Sequence, residues 1–183
     1  MVKLVGIAGS LRTESYSHQA LAIAASKAQD LGAEVTVLDL RQMTLPFCHG
    51  GDYADHPDVA VLQQAVKAAD GLILATPEYH GSVSGVLKNA LDLMSFEQLD
   101  GKVVGTISVL GGQANSNALN DLRKIARWVH AWVIPEQVAI GQAWQAFDEQ
   151  GKLVDAKLAE RLDKLVESLV THTQKLRPSS VDE

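Results

Sequence analysis

The chain has 183 residues, of which 46% are hydrophobic and 21% are charged, as in folded globular proteins rather than disordered ones. Its formal net charge of −6 argues against a nucleic-acid partner, which usually meets a basic protein face. No apolar run approaches the roughly 20 residues of a membrane span, so we expect no membrane partner either.

A few features bear on domain count and compartment. We expect residues 1–177 to form a single domain, followed by a frayed tail at 178–183. Met1 leads directly into an apolar run, without the separate apolar segment and cleavage site of a signal peptide. Because Cys48 is the only cysteine, no internal disulfide can form and a cytoplasmic location is expected. Neither Cys48 nor the histidines show the clustered spacing of metal ligands, so no metal site is predicted.

Short apolar runs alternate with amphipathic segments along the chain. The apolar runs predict strands at residues 3–8, 34–39, 71–75, 102–109 and 138–140. The amphipathic segments predict helices at residues 17–31, 59–69, 83–94, 116–131 and 152–175. Residues 42–58 contain two prolines and two glycines and are predicted to be irregular, a length of connection that is often functional.

This alternation predicts an α/β fold in which helices cover both faces of a parallel sheet. We expect a flavodoxin-like three-layer sandwich whose five-stranded parallel sheet has the order 2-1-3-4-5. Polar loops follow the first, third and fourth strands, at residues 9–17, 77–82 and 110–115. In this order those three strands are neighbours, so the loops should meet at one crevice, where open α/β sheets bind ligands.

The first loop carries the side chains of a phosphate site. Arg12 stands among five hydroxyls just before a predicted helix: Ser10, Thr13, Ser15, Tyr16 and Ser17. Free N–H groups and the helix dipole favour an anion there, and Arg12 adds a forked donor of permanent charge. The loop contains neither a Walker motif nor a G-x-G-x-x-G fingerprint. It therefore predicts a phosphate monoester as ligand.

One feature supports a dinucleotide site instead. Asp39 ends the second predicted strand, where an acid that binds a ribose would stand. The favoured alternative is a solvated acid at the end of a strand.

The second loop has the chemistry for holding a flat polar heterocycle. We expect Pro77 to end the buried third strand and Ser82 to cap the following helix. Tyr79 offers a flat ring, His80 an imidazole, and Gly81 lets the backbone approach a ligand closely. The alternative is an ordinary turn between a strand and a helix.

Three motifs together carry a resemblance to a known family. Gly9-Ser10-Leu11-Arg12…Ser15-Tyr16 resembles the phosphate loop of the NAD(P)H-dependent FMN reductases of flavodoxin-like fold, a group that includes quinone, azo-dye and chromate reductases. The flavin-ring loop and third segment of that family are similar to Pro77-Glu78-Tyr79…Ser82…Gly85-Val86-Leu87-Lys88-Asn89-Ala90-Leu91-Asp92 and to Gly111-Gly112…Ala118…Leu122-Arg123. The resemblance covers about residues 3–142. The family often has Asn and a basic residue where Ser17 and His18 stand, Asn at His80 and Pro at Ser84.

The resemblance implies a reductase with FMN as cofactor and NADPH or NADH as co-substrate. Hydride would pass from the nicotinamide to FMN, and electrons would pass on to a small-molecule acceptor: a quinone, an azo compound, a flavin or a metal oxyanion. The phosphate would be held by Ser10, Arg12, Ser15, Tyr16 and Ser17, and the ring loop would contribute Pro77, Glu78, Tyr79, His80, Gly81 and Ser82. Backbone N–H groups around Gly111 and Gly112 would stabilise negative charge on the reduced ring. Hydride transfer demands no catalytic acid or base, and none is predicted.

The alternative function is an FMN-binding electron carrier or redox-sensing module without NAD(P)H turnover. A carrier of this kind is usually acidic around its flavin, to meet a basic partner. Here Arg12 and His80 balance Glu14 and Glu78, which favours the enzyme.

Two tryptophans predict self-association. Trp128 lies about 120° from the core face of the predicted fourth helix, with Trp132 one turn further on the same flank. Leu93 also lies off the core stripe of its predicted helix. Since Trp is enriched at interfaces and the family resemblance implies dimers or tetramers, we expect a homodimer or homotetramer. The alternative is that Trp128 packs under a loop of its own chain.

Overall fold

Five parallel strands form the middle layer of the computed structural model, which describes residues 1–177. The predicted tail at 178–183 lies outside the described residues. The strands are β1 (Lys3–Ala8), β2 (Glu34–Leu38), β3 (Gly71–Tyr79), β5 (Val103–Val109) and β6 (Trp132–Ile140), and a two-residue strand, β4 (Ser82–Val83), pairs antiparallel with the end of β3. Their order is β2-β1-β3-β5-β6, which confirms the predicted 2-1-3-4-5 order once β4 is set aside.

Helices cover both faces of this sheet, which confirms the three-layer α/β sandwich. They are α1 (Tyr16–Asp30), α2 (Pro57–Ala68), α3 (Gly85–Asp92), α4 (Phe96–Leu99), α5 (Asn117–Trp128), α6 (Ala143–Ala146) and α7 (Ala156–Leu176), with a 3₁₀ turn at Leu40–Gln42. The long helices α1 and α7 pack on one face, and α2, α3 and α5 pack on the other. Within residues 1–177, no helix combines the length and the apolar character needed to cross a bilayer.

The sequence of each element explains its place in these layers. Every residue of β5 is buried, as expected for a parallel strand covered on both sides. In α7 the buried positions recur at helical spacing: Leu162, Leu165, Val166, Leu169, Val170 and Thr173. Residues 43–56 contain no helix or strand, in agreement with the irregular segment predicted at 42–58.

The predicted second loop is for the most part a strand extension, so that prediction was wrong in detail. β3 continues through Pro77 to Tyr79, turns at His80 and Gly81, and pairs with β4. Both turn residues have positive φ, 52° and 75°, as a two-residue type I′ hairpin requires. Gly81 therefore supplies the turn conformation that this hairpin requires.

The helix after this hairpin begins later than predicted. Ser84, not Ser82, is the N-cap of α3, and its hydroxyl accepts a hydrogen bond from the N–H of Leu87 at 3.1 Å. Ser82 belongs to β4 and donates instead to Asp121 at 2.6 Å. The antiparallel pairing of β4 with β3 holds Ser82 in extended backbone, which excludes it from the helix.

The fifth parallel strand is longer than predicted, and this corrects the position of Trp132. α5 ends at Trp128, so Trp132 does not follow it on the same helix but opens β6. Leu93 was also placed wrongly: α3 ends at Asp92, and Leu93 turns into the core with 2% exposure. Trp128 itself is 70% exposed, as its helical position predicted.

A buried contact fixes the start of the first loop against α3. The N–H of Gly9 donates to the carbonyl of Ala75 at 2.8 Å, and its own carbonyl accepts from the hydroxyl of Ser84 at 2.6 Å. A Cβ atom added to Gly9 would lie 2.5 Å from both the Cβ of Leu87 and the Oγ of Ser84. Position 9 therefore has no room for a side chain.

We predict that Gly9→Ala lowers the free energy of unfolding by about 1–3 kcal/mol, the usual cost of overpacking a close-packed site. Urea unfolding of the cofactor-free protein measures this. Gly85→Ala is the matched control, because an added Cβ there meets nothing within 4 Å, and it should not destabilise. Equal stability of the Gly9→Ala variant and the wild type would contradict the close contact.

Candidate functional site

A cleft of about 310 Å³ opens at the carboxyl edge of the sheet, a volume within the range of small-molecule sites. All three predicted loops contribute to it, together with the segment that follows β6. Its walls are formed by Ser10, Arg12, Ser15, Tyr16, Ser17, Pro77, Glu78, Tyr79, Val109, Leu110, Gly111, Ala143 and Trp144. The expectation that the loops meet at one crevice is therefore confirmed.

Most residues named from the sequence line this cleft, and four do not. The whole phosphate set does so, as do three residues of the ring loop and one glycine: Ser10, Arg12, Ser15, Tyr16, Ser17, Pro77, Glu78, Tyr79 and Gly111. The structure does not bring His80, Gly81, Ser82 or Gly112 into the lining.

The end of the cleft at α1 is built to receive an anion. Ser10, Ser15 and Ser17 are buried at 3%, 6% and 2% exposure, yet line the cleft. Ser15 caps α1 by accepting from the N–H of His18 at 3.3 Å. The first turn of α1 carries no acidic residue, so nothing on the helix itself offsets the positive end of its dipole. Arg12 adds a full positive charge at the same wall.

Asp39 is not the solvated acid that the sequence favoured. Its carboxylate caps the 3₁₀ turn and accepts from the Nε and Nη2 atoms of Arg41 at 2.8 and 2.7 Å. The hydrogen bonds from Arg41 lower the pKa of Asp39 to about 2. Arg41 also donates through Nη1 to the carbonyl of Thr13 at 3.1 Å, so the pair reaches the first loop. Nothing in this arrangement leaves the carboxylate free for a ribose.

Glu78 ties the second loop to the third. Its carboxylate accepts from the side-chain amide of Asn115 at 2.9 Å and from the N–H of Ala118 at 3.4 Å. Ala118 lies in the first turn of α5, whose N-cap residue Ser116 makes no side-chain hydrogen bond. Glu78 therefore satisfies that helix end from outside α5 while it also lines the cleft.

The third loop is held by the chain that follows β6. The N–H of Gln142 donates to the carbonyl of Gly112 at 2.7 Å, and the N–H of Ala143 donates to the carbonyl of Leu110 at 3.1 Å. Gln142 adopts the left-handed conformation to make this turn, with φ of 46°. These bonds place Gly111 at the cleft wall.

Sequence reasoning missed the fourth wall of the cleft, Ala143 and Trp144. Trp144 is 62% exposed while it lines the cleft, and the segment is anchored where the ring of Phe147 stacks on Tyr16, with centroids 5.5 Å apart. A signal was available: β6 ends at the same edge of the sheet as the other strands, so residues after it were candidates by the same rule.

The donor set and the shape of this cleft fit FMN. One end offers buried hydroxyls, a guanidinium and a helix N-terminus, which suit a phosphate. The walls beyond it carry Tyr79, Trp144 and the backbone of Gly111, which suit a flat ring. Across residues 1–177, no three His, Cys, Asp or Glu side chains come together as metal ligands.

Comparison with known proteins agrees with this fit. The sequence profile for NADPH-dependent FMN reductases matches residues 2–145. The chain is 32% identical over 182 residues to the NADPH-dependent FMN reductase ArsH of Shigella flexneri, covering 97% of this chain and 71% of that protein. It is 34% identical over 184 residues to the NAD(P)H-dependent FMN reductase PA1204 of Pseudomonas aeruginosa, covering 96% and 97%. In fold it resembles the flavoenzyme FerB of Paracoccus denitrificans, with a TM-score of 0.79, 24% identity, and coverage of 96% and 99%.

Proposed function

The chain belongs to the NADPH-dependent FMN reductase family, and from this membership we propose which of its residues hold the cofactor and which acceptors it reduces. It is an oxidoreductase with FMN as cofactor, NADPH or NADH as co-substrate and a small molecule as electron acceptor. The bound flavin supplies the chemistry of accepting a hydride and releasing electrons. The protein supplies binding, orientation and shelter from water.

The phosphate is proposed to lie at the N-terminus of α1. The supporting observation is that three buried serine side chains, Ser10, Ser15 and Ser17, line one cleft beside Arg12. Buried hydroxyls that face a cleft are suited to donate to an anion, and Arg12 supplies the opposite charge. Tyr16 lines the same end, where its ring is fixed by stacking on Phe147.

The ring is proposed to lie against Pro77, Tyr79, Gly111 and Trp144. These residues cover a flat ligand with aromatic and backbone surface and limit its access to water. Backbone N–H groups near Gly111 would face negative charge that develops on the ring. Direct cofactor contacts by His80, Gly81, Ser82 and Gly112 stay predictions, since none of the four lines the cleft.

Flat aromatic acceptors, namely quinones, azo compounds and free flavins, are proposed ahead of metal oxyanions. Tyr79 and Trp144 both line the cleft while exposing 50% and 62% of their surface. Two exposed rings beside a flavin site offer stacking surface to a flat molecule, whereas an oxyanion would gain nothing from them. We also propose a single domain, because 183 residues fit one core, and a cytoplasmic location, because the chain has a single cysteine. No nucleic-acid partner is proposed because of the acidic net charge, and no membrane partner because no apolar run approaches the length of a span.

The test of reductase function is anaerobic reduction of the purified holoprotein. NADPH or NADH should bleach the flavin absorbance, and adding a quinone should restore it. A protein that stays yellow with both nucleotides, yet bleaches with dithionite, would instead be the electron carrier.

The phosphate assignment predicts a difference between FMN and riboflavin. At a hundredfold excess over its Kd, FMN should stabilise the cofactor-free protein by about 2.7 kcal/mol. Arg12→Ala should weaken FMN binding by about 1.5–3 kcal/mol, the worth of a hydrogen bond to a charged group, and leave riboflavin nearly unchanged. Fluorescence titration with both flavins measures this, with Arg161→Ala, an exposed arginine on α7, as control. Equal losses for both flavins would contradict the assignment.

We propose that the chain forms a homodimer or homotetramer through the surface around Trp128. A groove of about 560 Å³ runs beside Trp128, and its lining combines apolar side chains, among them Met94 and Phe96, with the charged side chains of Lys88, Asp92, Lys124 and Arg127. The combination of a 70% exposed Trp and a groove with an apolar centre and a charged rim on one side of the molecule is typical of an interface.

Trp128→Glu should shift the protein to smaller species in sedimentation velocity, because it places a charge in the proposed interface. Val61→Glu adds the same charge at an exposed apolar position on α2 and should leave the assembly unchanged. A wild type that is monomeric at micromolar concentration, or a Trp128→Glu variant with wild-type assembly, would refute the proposal.

A further inference from the structure

The peptide carbonyls of the first loop are held by side chains from outside the loop. Four carbonyls accept such bonds: Gly9 from Ser84 (2.6 Å), Ser10 from His18 (2.9 Å), and Arg12 and Thr13 from Arg41 (3.5 and 3.1 Å). Since a carbonyl can only accept, the Nε2 atom of His18 carries the proton in its bond. None of the three donor residues lines the cleft, so the carbonyls point away from it.

This arrangement sets the direction of the loop N–H groups. The described chain contains no cis peptide bond, and in a trans peptide the N–H points opposite to the carbonyl of the same unit. A carbonyl held on one side of the loop turns the N–H group of the same peptide unit to the other side, namely that of Ser10, Leu11, Thr13 or Glu14. Within residues 1–177, these four N–H groups have no hydrogen-bond partner. Of the four residues, only Ser10 lines the cleft.

Arg41 is the donor that is itself anchored to the sheet. Two of its nitrogens and its backbone N–H bind the carboxylate of Asp39, which leaves Nη1 for the loop. Asp39 follows directly on β2, and β2 is paired with β1 up to the contact of Ile7 with Leu38. A continuous path therefore runs from the sheet through Asp39 and Arg41 to the carbonyls of Arg12 and Thr13.

The negative charge of Asp39, so close to the proposed phosphate site, bears on the role of this residue. A carboxylate close to a phosphate site repels the ligand, so electrostatics alone would favour a neutral residue there. The hydrogen bonds from Arg41 lower the pKa of Asp39 to about 2, so the carboxylate is ionised at neutral pH. A carboxylate at position 39 is explained if it fixes the orientation of the Arg41 side chain and does not contact the ligand.

We propose that Asp39 and Arg41 are positioning residues of the phosphate subsite: they hold the carbonyls of Arg12 and Thr13 and so fix the path of the loop between Ser10 and Ser15, whose side chains line the cleft together with that of Arg12. Neither residue touches the ligand. The inference rests on the proposed binding of the FMN phosphate at this loop. It goes beyond that proposal by assigning part of the FMN affinity to Asp39 and Arg41, which do not line the cleft.

The decisive variant is Asp39→Asn, because the two explanations predict opposite signs. Asn keeps the N-cap of the 3₁₀ turn but loses the ionic anchor of Arg41. If the pair positions the loop, FMN affinity should fall roughly tenfold, the consequence of loosening charged hydrogen bonds, while riboflavin affinity changes less than about twofold. If Asp39 acts only through its charge, FMN should bind more tightly.

Arg41→Lys and Asp70→Asn complete the experiment. Arg41→Lys keeps the positive charge but loses the fork, and should weaken FMN in the same way as Asp39→Asn. Asp70→Asn makes the same charge change at the amino edge of the sheet, just before β3, and should have no effect. Flavin titrations are paired with ¹⁵N relaxation of the cofactor-free proteins, in which the order parameters of residues 10–14 should fall for both loop variants.

Two outcomes distinguish the positioning role of Asp39 and Arg41 from the phosphate assignment. FMN binding to Asp39→Asn at or above wild-type affinity, with unchanged loop order parameters, would overturn the positioning role and leave the phosphate assignment intact. A wild type that binds riboflavin as tightly as FMN would instead overturn the phosphate assignment itself. Riboflavin affinity also reports whether each variant keeps a folded cleft, so a misfolded variant cannot pass for a positioning effect.

Discussion

The buried hydroxyl of Ser84 is the contact on which the site depends. It donates to the carbonyl of Gly9, accepts from the N–H of Leu87, and stands beside a backbone N–H that donates to Thr76 at 3.0 Å. The fully buried side chain of Ser84 thus joins Gly9, just after β1, to the start of α3, and its backbone N–H joins the same residue to Thr76 in β3. A buried polar group of this kind costs about 1–3 kcal/mol if it loses its partners, so the three elements are held in one arrangement. The path of the first loop is therefore set by packing before any ligand arrives.

Hydrogen bonds to the protein also hold the carboxylates near the cleft. Glu78 is bound to the start of α5, and Asp39 is bound to Arg41. The cleft lining combines the hydroxyls of the first loop, the guanidinium of Arg12, the hydrogen-bonded carboxylate of Glu78 and the aromatic side chains of Tyr16, Tyr79 and Trp144. Flavin chemistry needs orientation and electrostatic complementarity rather than a protein acid or base, and the side chains that line the cleft are suited to supply both.

The sequence predicted the layers, the strand order and the meeting of three loops, because each depends on apolar periodicity and on handedness rules. The two misplaced strand boundaries both involve proline. Pro77 suggests the end of a strand, but β1 has already ended opposite Ala75, so β3 is paired there only with β5 and tolerates proline. Pro135 argued against a strand before residue 138, so most of β6 was not predicted. β6 is an edge strand, and its pairing register with β5 shifts between Val104 and Thr106, opposite Pro135. Local sequence patterns do not reveal where a neighbouring strand ends or where the pairing register of two strands shifts.

The fourth wall could not be predicted from local pattern because long-range contacts place it. Residues 143–146 make only one short helix, and its position depends on backbone bonds from Gln142 and Ala143 to the third loop. The stack of Phe147 on Tyr16 then ties this wall to the first turn of α1. The segment that carries Trp144 is thus joined to Tyr16 at the opposite end of the cleft, although none of the three predicted loops contains it. A change at Phe147 would therefore alter the surroundings of Tyr16 and of Trp144 together, so these two parts of the cleft form one structural unit.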